Sequence, residues 1–202
     1  MKLYYSPGAC SLSPHIALRE AGLPFELEKV NTGTKKTESG KDFLTINPKG
    51  YVPTLQLDDG SILTEGPAIV QYIADQAPQA KLAPANGTRE RYRLQEWLNF
   101  ISTELHKGFS PLFNPAYPEE AKKIVREKLG VRFDNLRATL EKSPYLMGEQ
   151  FTVADGYLFT VVSWAAYVKI DLTPWPWVKA FHSRVAERPH VQAALKAEGL
   201  LK

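Results

Sequence analysis

LYYSPGACSLSPHIALR, residues 3 to 19, reads as a short strand, a turn and a helix in succession. Leu3, Tyr4 and Tyr5 favour extended backbone, and Pro7-Gly8 punctuates. Pro14 suits a first helical turn, where the NH it lacks would have no partner. The chain's only cysteine, Cys10, therefore falls at or just before a helix N-terminus. Unpaired NH groups and the positive end of the helix dipole favour a thiolate there. A lone cysteine is more often a small buried hydrophobe. The small residues on either side, Gly8 and Ala9 before it and Ser11 and Ser13 after it, instead describe an accessible turn, which favours a chemical role.

Working outward, Ala21-Gly22 and Pro24 close the first helix near Glu20, and Phe25 to Val30 alternates as a half-exposed strand does, completing a βαβ unit. Residues 31 to 50 are polar and read as a loop, with Phe43, Leu44 and Ile46 holding one short helical turn. Thr54 to Leu57 and Ile62-Leu63 form a hairpin around Asp59-Gly60. Helical spacing follows from Glu65 to Ala77. Pro78, Pro84 and Gly87 mark a connector, after which strand signals largely disappear. Thr88 is a candidate N-cap for a long helix to about Lys107, interrupted by Pro111, Pro115 and Pro118. A second long helix is expected from Glu119 to about Lys142. Thr152-Val-Ala-Asp155 has the form of a capping box, with Gly156 where a hydrophobic staple would need an apolar residue. Helical segments around Trp177 to Arg188 and His190 to Ala197 end the chain.

The 202 residues are 44% hydrophobic and 23% charged, with a formal net charge of +3. That balance offers no broad basic field for nucleic acid or an anionic membrane. One cysteine excludes an internal disulfide, CxxC redox chemistry and cysteine-based zinc sites, and points to a reducing, cytoplasmic setting. No apolar run approaches a membrane span and the start carries no leader pattern, so a soluble protein is expected.

Three further constellations carry chemistry. Val52-Pro53 precedes a strand. Base rates favour a trans bond, whereas the β-α-β-α-β-β-α order is that of a thioredoxin-like fold, in which a cis-proline faces the helix-start cysteine. Thr64-Glu65-Gly66 opens a helix, where backbone NH groups can take a carboxylate and Glu65 an ammonium, or where Thr64 simply caps. His106, followed by Gly108-Phe109-Ser110-Pro111, stands where a neutral imidazole could tune a thiol. His15, His182 and His190 lack such company and read as surface or structural.

Together SPGACSLSPH, NPKGYVPTL, TEGPAIVQYIAD, EWLNFISTELHKGFSPLF and FTVADGYLF resemble, in order and over essentially the whole chain, the bacterial beta-class glutathione transferases. The resemblance implies an α/β thioredoxin-like N-terminal domain over residues 1–80, a linker over 81–87 and an all-α C-terminal domain over 88–202. It implies conjugation of glutathione, a co-substrate with no tightly bound cofactor or metal beside it, to small hydrophobic electrophiles by a cytoplasmic homodimer. Cys10 and His106 would be the catalytic pair. Glutathione would contact Cys10, Lys35, Val52 beside Pro53, Glu65 and Gly66, with Asn99 and the turn Thr103, Glu104, Leu105 and His106. Tyr51, Phe109 and Trp164 would border the electrophile. Tyr51 departs from the polar residue common in relatives, and Gly33 from a larger one. The alternatives are a thioltransferase or peroxidase working through a Cys10 mixed disulfide and, more distantly, a non-catalytic binding module.

Overall fold

The computed structural model describes residues 1–201, which divide into two compact units, Met1–Ala83 with Arg188–Lys202, and Pro84–Glu187. The sequence-based boundary at residue 88 puts the C-terminal helix with the helical part. It packs instead with the first unit, because its partners lie on the first helix.

In the first unit β1 (Lys2–Tyr5) leads through the cysteine turn to α1 (Leu12–Ala21), ended by Gly22 in the left-handed region. β2 (Glu26–Asn31) runs parallel to β1. β3 (Lys36–Thr37) pairs antiparallel with β2, so the loop expected over residues 31 to 50 contains a strand two residues long, too short to leave a period. A 3-10 turn at Phe43–Thr45 follows. β4 (Thr54–Gln56) and β5 (Ile62–Thr64) form the expected hairpin, and α2 (Gly66–Gln76) closes the fold. The sheet order is β3-β2-β1-β4-β5, which with its helices is the thioredoxin-like arrangement. Alternation along β1 explains its two faces. Leu3, with Leu55 beside it in register, belongs to the core of Leu12, Ile16, Ile69 and Ile73. Tyr4 points to the opposite face, where it clusters with Val30, Phe43 and Val52.

The second unit is helical. α3 (Arg89–Phe100) is capped by Thr88, whose hydroxyl accepts from Arg91 N, and runs into a π-helical turn at Ile101–His106 and then α4 (Lys107–Phe113). The helix was expected to stop near Lys107, but it continues through Pro111. Proline removes one donor and one carbonyl's partner, and the buried Phe109 and Leu112 supply packing that holds the turn. α5 (Glu119–Asp134) and α6 (Arg137–Leu140) replace the single helix expected to Lys142, with a break at Asn135-Leu136. α7 (Val153–Ser163) is the buried central helix, and α8 (Pro176–Ala186) packs on it. α9 (Pro189–Ala197) belongs to the first unit, on α1.

Candidate functional site

In the first unit the turn from Ser6 to Ser11 is tied at its neck: Ser11 Oγ accepts from Ser6 N at 3.1 Å and lies 3.2 Å from Ser6 O. Gly8 sits at φ +71°, a conformation that favours glycine. This presents the half-buried Cys10 just ahead of α1, and its Sγ–H donates to Val52 O at 3.2 Å. The Val52-Pro53 bond is cis. A Cβ built on Gly66 would lie 3.9 Å from the Pro53 ring, so Gly66 borders the same corner. Glu65 holds φ 71° without glycine, directly before α2. Cys10, Val52, Pro53 and Gly66 thus meet in one corner, with Glu65 next to Gly66 in the chain.

Lys35 and Lys49 border that group. Lys35 Nζ donates to Gly50 O at 2.9 Å and lies 5.6 Å from the ring of Tyr51, which is 70% exposed. Asn31 Oδ1 accepts from the NH groups of Gly33 and Thr34, which shapes the loop before Lys35. Lys49, not singled out from the sequence, donates to Glu65 Oε1 at 3.0 Å and Thr64 Oγ1 at 3.2 Å. Thr64 therefore does not cap α2: its hydroxyl accepts a hydrogen bond from Lys49 instead. Glu65 thus pairs with one ammonium group, that of Lys49.

In the second unit the π-helical turn coincides with the residues expected to serve a ligand, a wider turn often found at functional positions. Asn99 and Thr103 are exposed and bonded to each other through Thr103 Oγ1 and Asn99 O. Glu104 accepts from Arg132 at 2.8 and 2.9 Å, and the Leu105 side chain is buried. Leu105 has no exposed surface, side chain or backbone, to offer a ligand.

His106 Nδ1 lies 2.7 Å from Tyr157 Oη, and its ring meets Trp164 edge-on at 4.8 Å. Trp164 in turn meets Phe109 at 6.0 Å and Phe113 at 5.9 Å. Phe109 is fully buried, so it supports this aromatic group rather than bordering an open surface; Phe113, half exposed, is the ring that offers surface. Tyr157 and Phe113 escaped the sequence, although the latter stands one turn after Phe109.

Burial, reinforced by Lys107, lowers the His106 pKa from 6.5 to about 4. The imidazole is neutral at pH 7 and can hydrogen-bond a sulfur without adding charge. The unfolded chain takes a proton at His106 near pH 6.5 and the folded chain only near 4, so its contribution to stability is complete above 6.5 and is lost as pH falls through 4. That loss approaches about 3 kcal/mol. Denaturant midpoints of wild type and His106→Asn at pH 7.5 and pH 4 check it: the wild type should drop more between the two, and parallel drops would refute the assignment.

His15, expected to be surface or structural, is wholly buried and bonded, and His182 stacks on Phe159 beside Ser163. Among the described residues no cluster of three or more His, Cys, Asp or Glu could hold a metal ion, and no helix is long and apolar enough to cross a membrane.

Residues 8–76 match the glutathione S-transferase N-terminal domain family, and residues 100–189 the glutathione S-transferase C-terminal domain family. The chain is 52% identical to glutathione S-transferase GstA of Escherichia coli O157:H7, over 99% of this chain and 100% of that protein. It is similar to the solved structure of a sphingomonad glutathione S-transferase complexed with glutathione, at 52% identity, a TM-score of 0.95 and full coverage of both chains. The structure of a bacterial beta class glutathione S-transferase from Sphingomonas chungbukensis matches at 52% identity and a TM-score of 0.96, again with 100% of each chain covered.

Proposed function

The chain belongs to the bacterial beta class of the glutathione S-transferase family, and on that basis we propose how its own residues serve glutathione conjugation. Glutathione is the co-substrate and its sulfur the nucleophile. The thiol loses its proton to solvent, a sulfur–carbon bond forms at the electrophile, and a halide leaves with the bonding pair or, in the addition case, an activated double bond takes up the proton. A free thiol is only a few per cent ionised at neutral pH, so the enzyme gains by stabilising the thiolate and aiming it.

The observation that carries the assignment of residues is the corner where Cys10 Sγ meets Val52 O beside cis-Pro53, with Glu65 and Gly66 at the start of α2. Val52 offers an extended backbone edge to the cysteinyl part of the tripeptide. The Gly66 NH, at the first residue of α2 and with no side chain in the way, suits the γ-glutamyl carboxylate, and Glu65 suits its ammonium. Lys35 neutralises the glycyl carboxylate. Within the second unit by itself, the neutral His106 and the exposed Asn99 and Thr103 are the groups able to make polar contacts with a ligand. Trp164 and Phe113, in that same unit, favour a small hydrophobic, aromatic or halogenated electrophile; Tyr51 of the first unit is an exposed aromatic ring.

A second reading rests on the same corner. A partly exposed cysteine at a helix start can attack the glutathionyl sulfur of a mixed disulfide, forming a Cys10–glutathione disulfide and releasing the other thiol; a second glutathione then restores Cys10 and leaves as oxidised glutathione. The class, and the need of a lone thiol for reducing surroundings, support a cytoplasmic homodimer.

Initial rates with glutathione and a halogenated aromatic test the reading. Glu65→Gln removes a charge-assisted contact and is expected to raise KM for glutathione about tenfold with kcat little changed. A Glu65→Gln enzyme with wild-type KM would remove Glu65 from the glutathione contacts, and a wild type inactive with glutathione and every electrophile offered would overturn the function.

A further inference from the structure

Within the second unit a cavity of about 330 Å³ opens beside the C-terminal end of α7. It is bounded by the last turn of α7, the 3-10 turn Trp164–Ala166, the loop over residues 170–173 and one face of α8. Sites for small molecules start at about this size, about 300 Å³. Trp164, between Ser163 and Ala165 in the chain, turns its ring to His106 and does not line the cavity. None of the residues assigned to glutathione or to the electrophile lines it either.

Two groups on its wall give it a chemistry. Ser163 Oγ lies 2.8 Å from Phe159 O and 2.9 Å from His182 Nε2. A hydroxyl has one proton, and a carbonyl can only accept, so the Ser163 proton goes to Phe159 O. His182 Nε2 must then carry the ring proton and donate it to Ser163 Oγ. Nδ1 is left as a bare acceptor, with no donor among the described residues and open to solvent. Stacking on Phe159 at 4.7 Å fixes the ring. Burial lowers the His182 pKa, so Nδ1 keeps its lone pair at neutral pH.

Lys179 is the second group, exposed three residues before His182 and hence on the same face of α8. Asp171, across the rim, is committed to its own loop: its Oδ1 accepts from Thr173 N at 2.9 Å and Thr173 Oγ1 at 2.7 Å. Those bonds, aided by the charge of Lys179, hold the Asp171 carboxyl below its usual range. Among the described residues Lys179 makes no ion pair, so its ammonium is available to a ligand. Val162, Ala165, Ile170 and Leu172 make the rest of the wall largely apolar.

We propose that this cavity binds a small hydroxylated carboxylic acid with a compact apolar body. The hydroxyl donates to His182 Nδ1, the body covers Val162, Ala165, Ile170 and Leu172, and the carboxylate reaches Lys179. A molecule without a donor leaves Nδ1 unmatched in a half-buried place, and a cation is repelled by Lys179; both are disfavoured. A benzene ring with hydroxyl and carboxylate at opposite ends suits two groups one turn apart on a single helix.

The probe is para-hydroxybenzoate, and benzoate, the same body without the hydroxyl, is its control. Amide chemical shifts of the isotope-labelled full chain are followed at neutral pH, with S-hexylglutathione present to occupy the glutathione corner. The shifts caused by para-hydroxybenzoate should gather at residues 162–166 and 179–183. His182→Phe keeps a ring on Phe159 and removes the acceptor. It is expected to weaken para-hydroxybenzoate about fivefold, the worth of one neutral hydrogen bond, and to leave benzoate unchanged. Lys179→Met should weaken both acids about twofold to threefold, as an exposed charge does, with conjugation at the wild-type rate. Should His182→Phe fail to fold, Lys179→Met, a surface replacement, still decides. Shifts that gather at His106 and Phe113 instead, equal weakening of the two acids in His182→Phe, or unchanged affinity in Lys179→Met would overturn the proposal.

Discussion

Cys10→Ala is expected to take up no glutathione from oxidised glutathione while still conjugating a halogenated aromatic. The two chemistries use different sulfurs. Mixed-disulfide exchange requires Cys10 itself as attacking thiolate, and no other thiol exists in the chain to substitute for it. Conjugation uses the sulfur of glutathione, which in this reading is placed by Val52, Glu65, Gly66 and Lys35. Deleting Cys10 removes one hydrogen-bonding neighbour from that sulfur and frees Val52 O, which at present accepts from Cys10. A single such contact is worth about 1 kcal/mol, so conjugation should fall by less than about tenfold. Intact mass after incubation with oxidised glutathione reads the first arm: a glutathione-sized increment on wild type and none on the variant. Initial rates with glutathione and the electrophile read the second. Loss of both activities would sink this division of labour and make Cys10 the working sulfur of each; an unmodified wild type would remove the disulfide route.

The fold was legible wherever one stretch carries its own pattern. Residues 3 to 19 announce strand, turn and helix, and Thr152 to Asp155 announces a helix start, because each signal is complete within a few positions. β3 left no trace, since two residues cannot show a period of two and its pairing is decided by Val30 and Asn31 opposite. The thiol, the proline beside it and Glu65 were identifiable by type and by local turn chemistry. Their supports were not: Lys49 reaches Glu65 across 16 positions and Tyr157 reaches His106 across 51. A hydrogen bond leaves no periodicity, so nothing local in the sequence marks these as partners. Phe109 shows the opposite failure. The resemblance put it beside the electrophile, but its ring is buried against Trp164 and Phe133, and exposure falls to Phe113 one turn later.

Asp155→Asn should be the most damaging of these replacements to the second unit, although it touches no ligand. Asp155 is fully buried. Its Oδ1 accepts from Leu146 N at 2.8 Å; its Oδ2 accepts from Thr152 N at 2.8 Å and Thr152 Oγ1 at 2.9 Å. One side chain thereby closes the start of α7, the central helix, and pins the preceding loop. Asparagine has the same shape but offers an NH2 where one of these oxygens stood, so at least one buried backbone NH faces a donor instead of an acceptor. Leaving such a group unmatched costs about 1–3 kcal/mol, to which the lost cap adds about 1.

The pH dependence has a sign of its own. Burial outweighs the three donors and raises the Asp155 pKa from 3.8 to about 6. An acid raised on folding contributes stability that is fully present below the unfolded value and is lost as pH rises through the folded one. Wild type therefore gains from Asp155 as pH falls from about 6 towards 3.8, by up to about 3 kcal/mol, and the neutral asparagine does not. The stability gap between the two proteins should widen over that interval and narrow above it. All four tryptophans, Trp97, Trp164, Trp175 and Trp177, lie in the second unit, so their emission under increasing urea follows the affected part directly. A gap of less than about 1 kcal/mol at pH 5 would show that the Thr152 and Leu146 amides find other acceptors. A gap that narrows on acidification would show instead that the carboxylate, and not the neutral acid, is the form the fold prefers.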